Sequence, residues 1–120
     1  MAVRALRGAT QLDVDERAHL VARVRELLVE LMNANGLTPD DFISVIFTVT
    51  PDLHSEFPAV AARELGFGAV PLLCAQEIDV PGAAPRIVRL LAHVHTARDL
   101  TAARHVYLYG ARALRLDLAQ

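Results

Sequence analysis

Apolar and polar positions along this chain of 120 residues fall into blocks of two periods, and those blocks predict its elements. Residues 3–6 alternate weakly and end at Gly8, which predicts a short first strand. Asp13 with Glu16 three residues on has the spacing of a capping box and predicts a helix start. Leu20, Val21, Val24, Leu27, Leu28 and Leu31 then form a stripe at helical spacing. Glu16, Arg17, Arg23, Arg25, Glu26 and Glu30 occupy the other faces. Asn35-Gly36 supplies a C-terminal stop, and Thr38-Pro-Asp-Asp41 a single capped turn.

Residues 43–50 are the clearest strand, with Ile43, Val45, Phe47 and Val49 on one face and Pro51-Asp52 as its breaker. A short helix is predicted over 57–65, opened by Pro58 and closed by Gly66. Further strands are predicted over 70–75, 87–95 and 104–109, with a turn at Pro81-Gly82 and a terminal segment over 114–118. The order β-α-β-α-β-β-β predicts an α+β fold, a mixed sheet packed by one long helix and a short helix. The length suits one domain spanning 1–120.

Composition narrows the function. A hydrophobic fraction of 53% and a mean hydropathy of +0.31 are high for 13.1 kDa, so some apolar surface is expected in a subunit interface. A net charge of −2 without a basic cluster argues against nucleic acid. Aromatics at 5% and the absence of Trp leave no stacking platform for bases. The single cysteine, Cys74, excludes an intramolecular disulfide and suits a reducing cytoplasm. No run reaches the length of a membrane span, and the start lacks a signal-peptide layout, so a soluble cytoplasmic domain is expected.

All 12 basic side chains are arginines. That count has a bland source in codon supply, but the positions do not. Arg7 and Arg89 sit in strand-like apolar runs, where a buried guanidinium needs a compensating anion. Alternation puts Arg89 on one face with Ile87, Leu91, His93 and His95, and Arg7 with Val3 and Ala5. The segment 72–79 delivers Cys74, Glu77 and Asp79 at a strand end, while Tyr107 shares a face with His105 and Tyr109. The arginines can pair structurally with Glu77 or Asp79, or they can grip a small anion; the pattern leaves both open. Cys74 reads most simply as a small buried hydrophobe and Tyr107 as a core tyrosine. His93 and His95 could bind metal, but a third ligand at convincing spacing is missing. No phosphate loop or Ser-His-Asp order is present.

These segments resemble a known family. Arg4-Ala-Leu-Arg-Gly-Ala-Thr10, Thr50-Pro-Asp-Leu-His54, Phe57-Pro58, Arg63-Glu-Leu65, Val70-Pro71, Cys74-Ala-Gln-Glu-Ile-Asp79, Arg89 and Arg104-His-Val-Tyr-Leu108 look like the monofunctional chorismate mutases of the trimeric pseudo-α/β-barrel type. The resemblance runs from about Val3 to Leu118. It implies a homotrimer with a site at each subunit interface, rearranging chorismate to prephenate without cofactor or metal. By resemblance, Arg89 donates to the ether oxygen, Arg7 and Tyr107 hold a carboxylate, and Glu77 accepts from the ring hydroxyl. Cys74, Phe57 and Leu73 come from the neighbouring subunit, Leu114 is an apolar wall, and Arg63 and Arg115 lie near the mouth.

Two departures stand out. Val60 replaces a lysine common in the family, and the chain stops soon after Leu118, so a long C-terminal lid is expected to be short or absent. Two rival readings are a trimeric binding module for an aromatic-pathway carboxylate and an imine/enamine deaminase-like enzyme. The late arginine motif of the deaminases finds no match here.

Overall fold

The computed structural model describes residues 1–114. Of the expected segment over 114–118 only Leu114 is described, and Arg115 falls outside the described residues. The strands are β1 (Ala2–Gln11), β2 (Phe42–Val49), β3 (Leu72–Gln76), β4 (Ile87–Thr96) and β5 (Val106–Tyr107); the helices are α1 (Arg17–Asn35) and α2 (Ala59–Glu64). The strands form one five-stranded sheet in the order β3-β2-β4-β1-β5. β4 is antiparallel to both β1 and β2, whereas β3 runs parallel to β2 and β5 parallel to β1. The expected α+β order is therefore present.

α1 starts at Glu16, not at Asp13. The Glu16 carboxylate accepts from the backbone N–H of Ala18 at 3.0 Å and of His19 at 3.2 Å, satisfying two of the free donors of the first turn. Asp13 instead pairs with Arg23 at 3.0 Å. The helix ends at Gly36, whose φ of 64° is the left-handed cap that glycine adopts most easily. Leu20, Val24, Leu27, Leu28 and Leu31 are fully buried against Leu6, Val45, Phe47, Val88, Leu90, Ala92 and Val94 of the sheet. Each such side chain contributes about 2 kcal/mol through burial. Gly8 permits the close approach, since a Cβ there would lie 3.2 Å from Leu90 Cγ and 3.3 Å from Leu27 Cδ1.

Several expectations shift by a residue or two. β2 bulges between Phe42 and Ser44, so Phe42 faces the core in place of Ile43 and packs edge-on to Phe67. β5 is two residues long, not six, because Tyr109 (φ 55°) turns the chain away. Tyr109 then lies under Arg23 of α1, 3.6 Å from ring centroid to guanidinium, and does not share a face with Tyr107.

Neither Arg7 nor Arg89 is a core residue. Both helices cover one face of the sheet, and the arginines project from the other. That second face carries Val3 (53% exposed), Leu73 (60%) and Leu91 (37%), with nothing covering them among the described residues. At one end a small cluster of Ala9, Ile87, Tyr107 and Ala111 closes it, with Ala84 and Leu114 packed alongside.

Candidate active site

The strand register brings the candidate residues together on the uncovered face. Ala9 of β1 sits between Arg89 of β4 and Tyr107 of β5, and Arg7 lies two residues along β1 from Ala9. Small residues at this centre leave a recess between longer side chains. It is an open cavity of about 380 Å³ whose lining includes Arg7, Gly8, Ala9, Thr48, Arg89 and Tyr107. Two arginines lining one recess suit a ligand with two negative charges.

Arg89 is aimed by what precedes it. At the end of β2, the Thr50 hydroxyl donates to Asp52 Oδ1 at 2.6 Å and accepts from Ile87 N–H at 3.0 Å. The Asp52 carboxylate accepts from Arg86 N–H at 3.0 Å. Arg86 is held at φ 54°, a left-handed conformation costing about 1 kcal/mol in a residue with a side chain. These bonds hold the chain in that turn and launch β4 in register. The Thr-Pro-Asp segment is thus an anchor for Arg89.

Glu77 stands immediately after β3, where its N–H donates to Val49 C=O at 2.8 Å and extends the β2–β3 ladder. Its carboxylate accepts from Arg89 Nε, at 3.1 Å to Oε2 and 3.3 Å to Oε1. Thr48, opposite Arg89 in the register, donates its hydroxyl to Glu77 Oε2 at 2.7 Å. The arginine side chain is 41% exposed and the glutamate 18%. The structural ion pair and the anion grip are therefore compatible. Nε serves Glu77, while the terminal guanidinium nitrogens meet no acceptor among the described residues. Asp79 pairs with neither arginine among those residues.

Arg7 is positioned through its backbone, since its N–H donates to His105 Nδ1 at 3.0 Å and so ties β1 to the residue before β5. Leu108 N–H continues the tie, donating to Ala9 C=O at 2.9 Å. Leu114 packs on the Tyr107 cluster at the edge of the recess. Sequence reasoning missed Thr48 and His105 as contributors. Alternation alone places Thr48 opposite Val45 and Phe47, but only the pairing with β4 puts it beside Arg89.

The other expected residues lie elsewhere. Phe57 and Cys74 line a second open cavity of about 380 Å³ together with His54, Ser55 and Gln76. Leu73 and Cys74 point to opposite faces of β3: Leu73 pairs with Ile46 on the uncovered side, and Cys74 with Phe47 on the core side. Arg63 is exposed on α2. Phe57 itself is 66% exposed on a loop fixed by two acids. Asp15 is desolvated, which raises its pKa. Hydrogen bonds from Ser55 and from the His54 backbone, with the His54 imidazole nearby, outweigh that and hold it below the ordinary carboxylate value. Glu56 is also lowered, by the Phe57 backbone N–H first and by Arg17, whose Nε lies 2.6 Å away. His93 lies 3.3 Å from Ser44 Oγ, and among the described residues no cluster of three ligating side chains gathers to hold a metal. No helix among those residues is long and apolar enough to cross a membrane.

The chain as a whole is similar to known proteins. The profile of the family described as chorismate mutase type I matches residues 3–118. Chorismate mutase AroH of Thermus thermophilus is 46% identical over 117 residues, covering 97% of this chain and 96% of that protein. Chorismate mutase AroH of Bacillus subtilis (strain 168) is 38% identical over 120 residues, covering 99% and 94%. The solved chorismate mutase of Clostridium thermocellum superposes with a TM-score of 0.90 at 45% identity, covering 92% of this chain and 98% of its own. Matches of this length take in the arginine recess, its anchor and the sheet beneath it alike, and the chain belongs to the type I chorismate mutases.

Proposed function

We propose that this chain, as one domain over 1–120, catalyses the rearrangement of chorismate to prephenate at sites completed by neighbouring copies in a homotrimeric pseudo-α/β barrel. The observation that carries the reading is the gathering of Arg7, Arg89 and Tyr107 around one open recess, with Glu77 tied to two of its lining residues. The reaction is intramolecular and needs no proton acceptor, nucleophile, metal or cofactor. Catalysis then reduces to holding a folded conformer and stabilising charge as it separates.

In this reading Arg7 and Tyr107 bind the side-chain carboxylate, and Arg89 spans a carboxylate and the ether oxygen. Negative charge grows on that oxygen as the C–O bond breaks. A preorganised donor to such a charge lowers the barrier by about 3 kcal/mol. Glu77 accepts from the ring hydroxyl and faces the electron-poor ring. Leu114 forms an apolar wall.

The assembly follows from what one chain leaves apart. Phe57, Leu73 and Cys74 line no part of the arginine recess, yet Phe57 and Leu73 are apolar and exposed, and the recess is open to solvent. A second copy that lays its Phe57–Cys74 region over the recess would complete the walls and bury that surface. The thiol would then be a hydrogen-bonding neighbour of the ring hydroxyl, with Arg63 and Arg115 adding positive potential at the mouth. The lone thiol suits a reducing cytoplasm, the compartment this reading assigns.

The test is direct. Purified protein is mixed with chorismate and its ultraviolet absorbance followed, with the mass in solution measured at the same concentration. Loss of chorismate well above the uncatalysed rate, by a trimer, is expected. Binding without turnover would favour a binding module, and an active monomer would rule out the shared site.

A further inference from the structure

We infer that Thr48 is a positioning residue of this reaction, acting through Glu77 to keep the Arg89 guanidinium turned toward substrate. The inference rests on the proposed reading of the site. A carboxylate beside an arginine is drawn to the bidentate arrangement, two oxygens on two nitrogens, which would engage the terminal nitrogens of the fork. Here that arrangement is absent. Glu77 meets Arg89 from the side, through Nε alone, at 3.1 and 3.3 Å. The shorter of the two contacts goes to Oε2, the oxygen that also receives the Thr48 hydroxyl at 2.7 Å. Thr48 therefore fixes one carboxylate oxygen while the backbone bond from Glu77 N–H to Val49 fixes the root of the side chain.

With both ends held, the carboxylate cannot swing along the guanidinium toward its terminal nitrogens. Thr48 is suited to this work by its place. It lies on the uncovered face of β2, directly opposite Arg89 in the register, and lines the recess beside it. Its side chain is stiff at χ1 because the residue is β-branched and in a strand.

Replacing the hydroxyl by a methyl group of the same shape, Thr48→Val, frees Oε2 while leaving the strand intact. Glu77 then competes with substrate for the end of the Arg89 fork. A hydrogen bond to a charged group has a size that predicts a fall in kcat of about ten- to a hundredfold, with KM moving much less. Thr48→Ser, which keeps the hydroxyl, is expected to recover most of that loss.

Kinetics of the four proteins in a cycle of Thr48→Val and Glu77→Gln test the route, with melting temperature measured for each. The valine change is expected to matter far less once Glu77 is already Gln. The inference is overturned if Thr48→Val turns over within about twofold of the parent, if Thr48→Ser is as slow as Thr48→Val, or if the loss is undiminished in the Glu77→Gln background. An inactive parent would instead overturn the proposed reading of the whole site.

Discussion

Arg89→Lys separates the two duties that the proposed reading gives to one guanidinium. In the structure Nε serves Glu77 at 3.1 and 3.3 Å, while the terminal nitrogens meet no acceptor among the described residues and the arginine lines the recess. A lysine has one ammonium on a flexible stem and can serve one partner at a time. With Glu77 only partly exposed and held in place, the ammonium is drawn to the carboxylate and leaves the recess short of a donor. Losing a preorganised donor to the developing oxyanion raises the barrier by about 3 kcal/mol, roughly two orders of magnitude in kcat. Folding should hardly notice. The arginine side chain is 41% exposed, so solvent screens the pair to at most about 1 kcal/mol, and lysine retains the charge. The assay is the initial rate of chorismate loss at saturating substrate, paired with thermal unfolding followed by circular dichroism. A variant within about fivefold of the parent in kcat would mean that the fork is not needed. A large drop in melting temperature alongside the lost rate would mean that Arg89 is chiefly structural.

Two further outcomes follow from the same geometry. Cys74→Ser should keep kcat within about threefold, because a serine hydroxyl can make the hydrogen bond proposed for the thiol and the reaction needs no nucleophile; a hundredfold loss in steady-state rate would contradict that role. Acidification should release the Phe57 loop. Asp15 and Glu56 both have lowered pKa values in the folded chain, so what they contribute is present above the ordinary carboxylate range and is lost as pH falls through the folded values. Hydrogen exchange at the His54, Ser55 and Phe57 amides should show protection at about pH 5 that declines as the pH is taken down below the ordinary carboxylate range; protection unchanged through that acidification would refute the anchoring.

The fold was legible wherever one period ran long enough to be unambiguous. The α1 stripe from Leu20 to Leu31 faces the core as its spacing predicts, and Gly36 stops the helix. The sequence misled where two signals competed within a few residues. Asp13 and Glu16 are both acids near a helix start, and only the path of the chain out of β1 decides that Glu16 reaches the first free N–H groups. Alternation in β2 is broken at the bulge, where one extra residue exchanges Ile43 for Phe42, and no periodic pattern carries that information. The length of β5 depends on Tyr109, whose left-handed backbone is held by Arg23 and Glu26 from a helix some eighty residues earlier, a contact invisible to local reasoning.

The arginines show how a wrong premise still led to the site. Apolar neighbours on both sides made Arg7 and Arg89 look like core residues that needed an anion to justify burial. In fact those neighbours alternate: Leu6, Val88 and Leu90 go to the helices, while the arginines stand on a face left uncovered. No burial penalty is being offset. What makes them distinctive is that two cations occupy the apolar face of a sheet where surface leucine and valine also lie bare, so among the described residues the ends of the Arg89 fork lack an acceptor and the apolar area lacks a cover. In the proposed reading a dianion answers the first lack and a neighbouring copy the second, and a recess at a subunit boundary would answer both together. Whether a strand residue faces core or solvent is set by pairing register and by what covers each face. Those are properties of the assembled sheet, so residue type and spacing could single out Arg89 but not show that it reaches Glu77 sideways, with Thr48 holding the carboxylate in place.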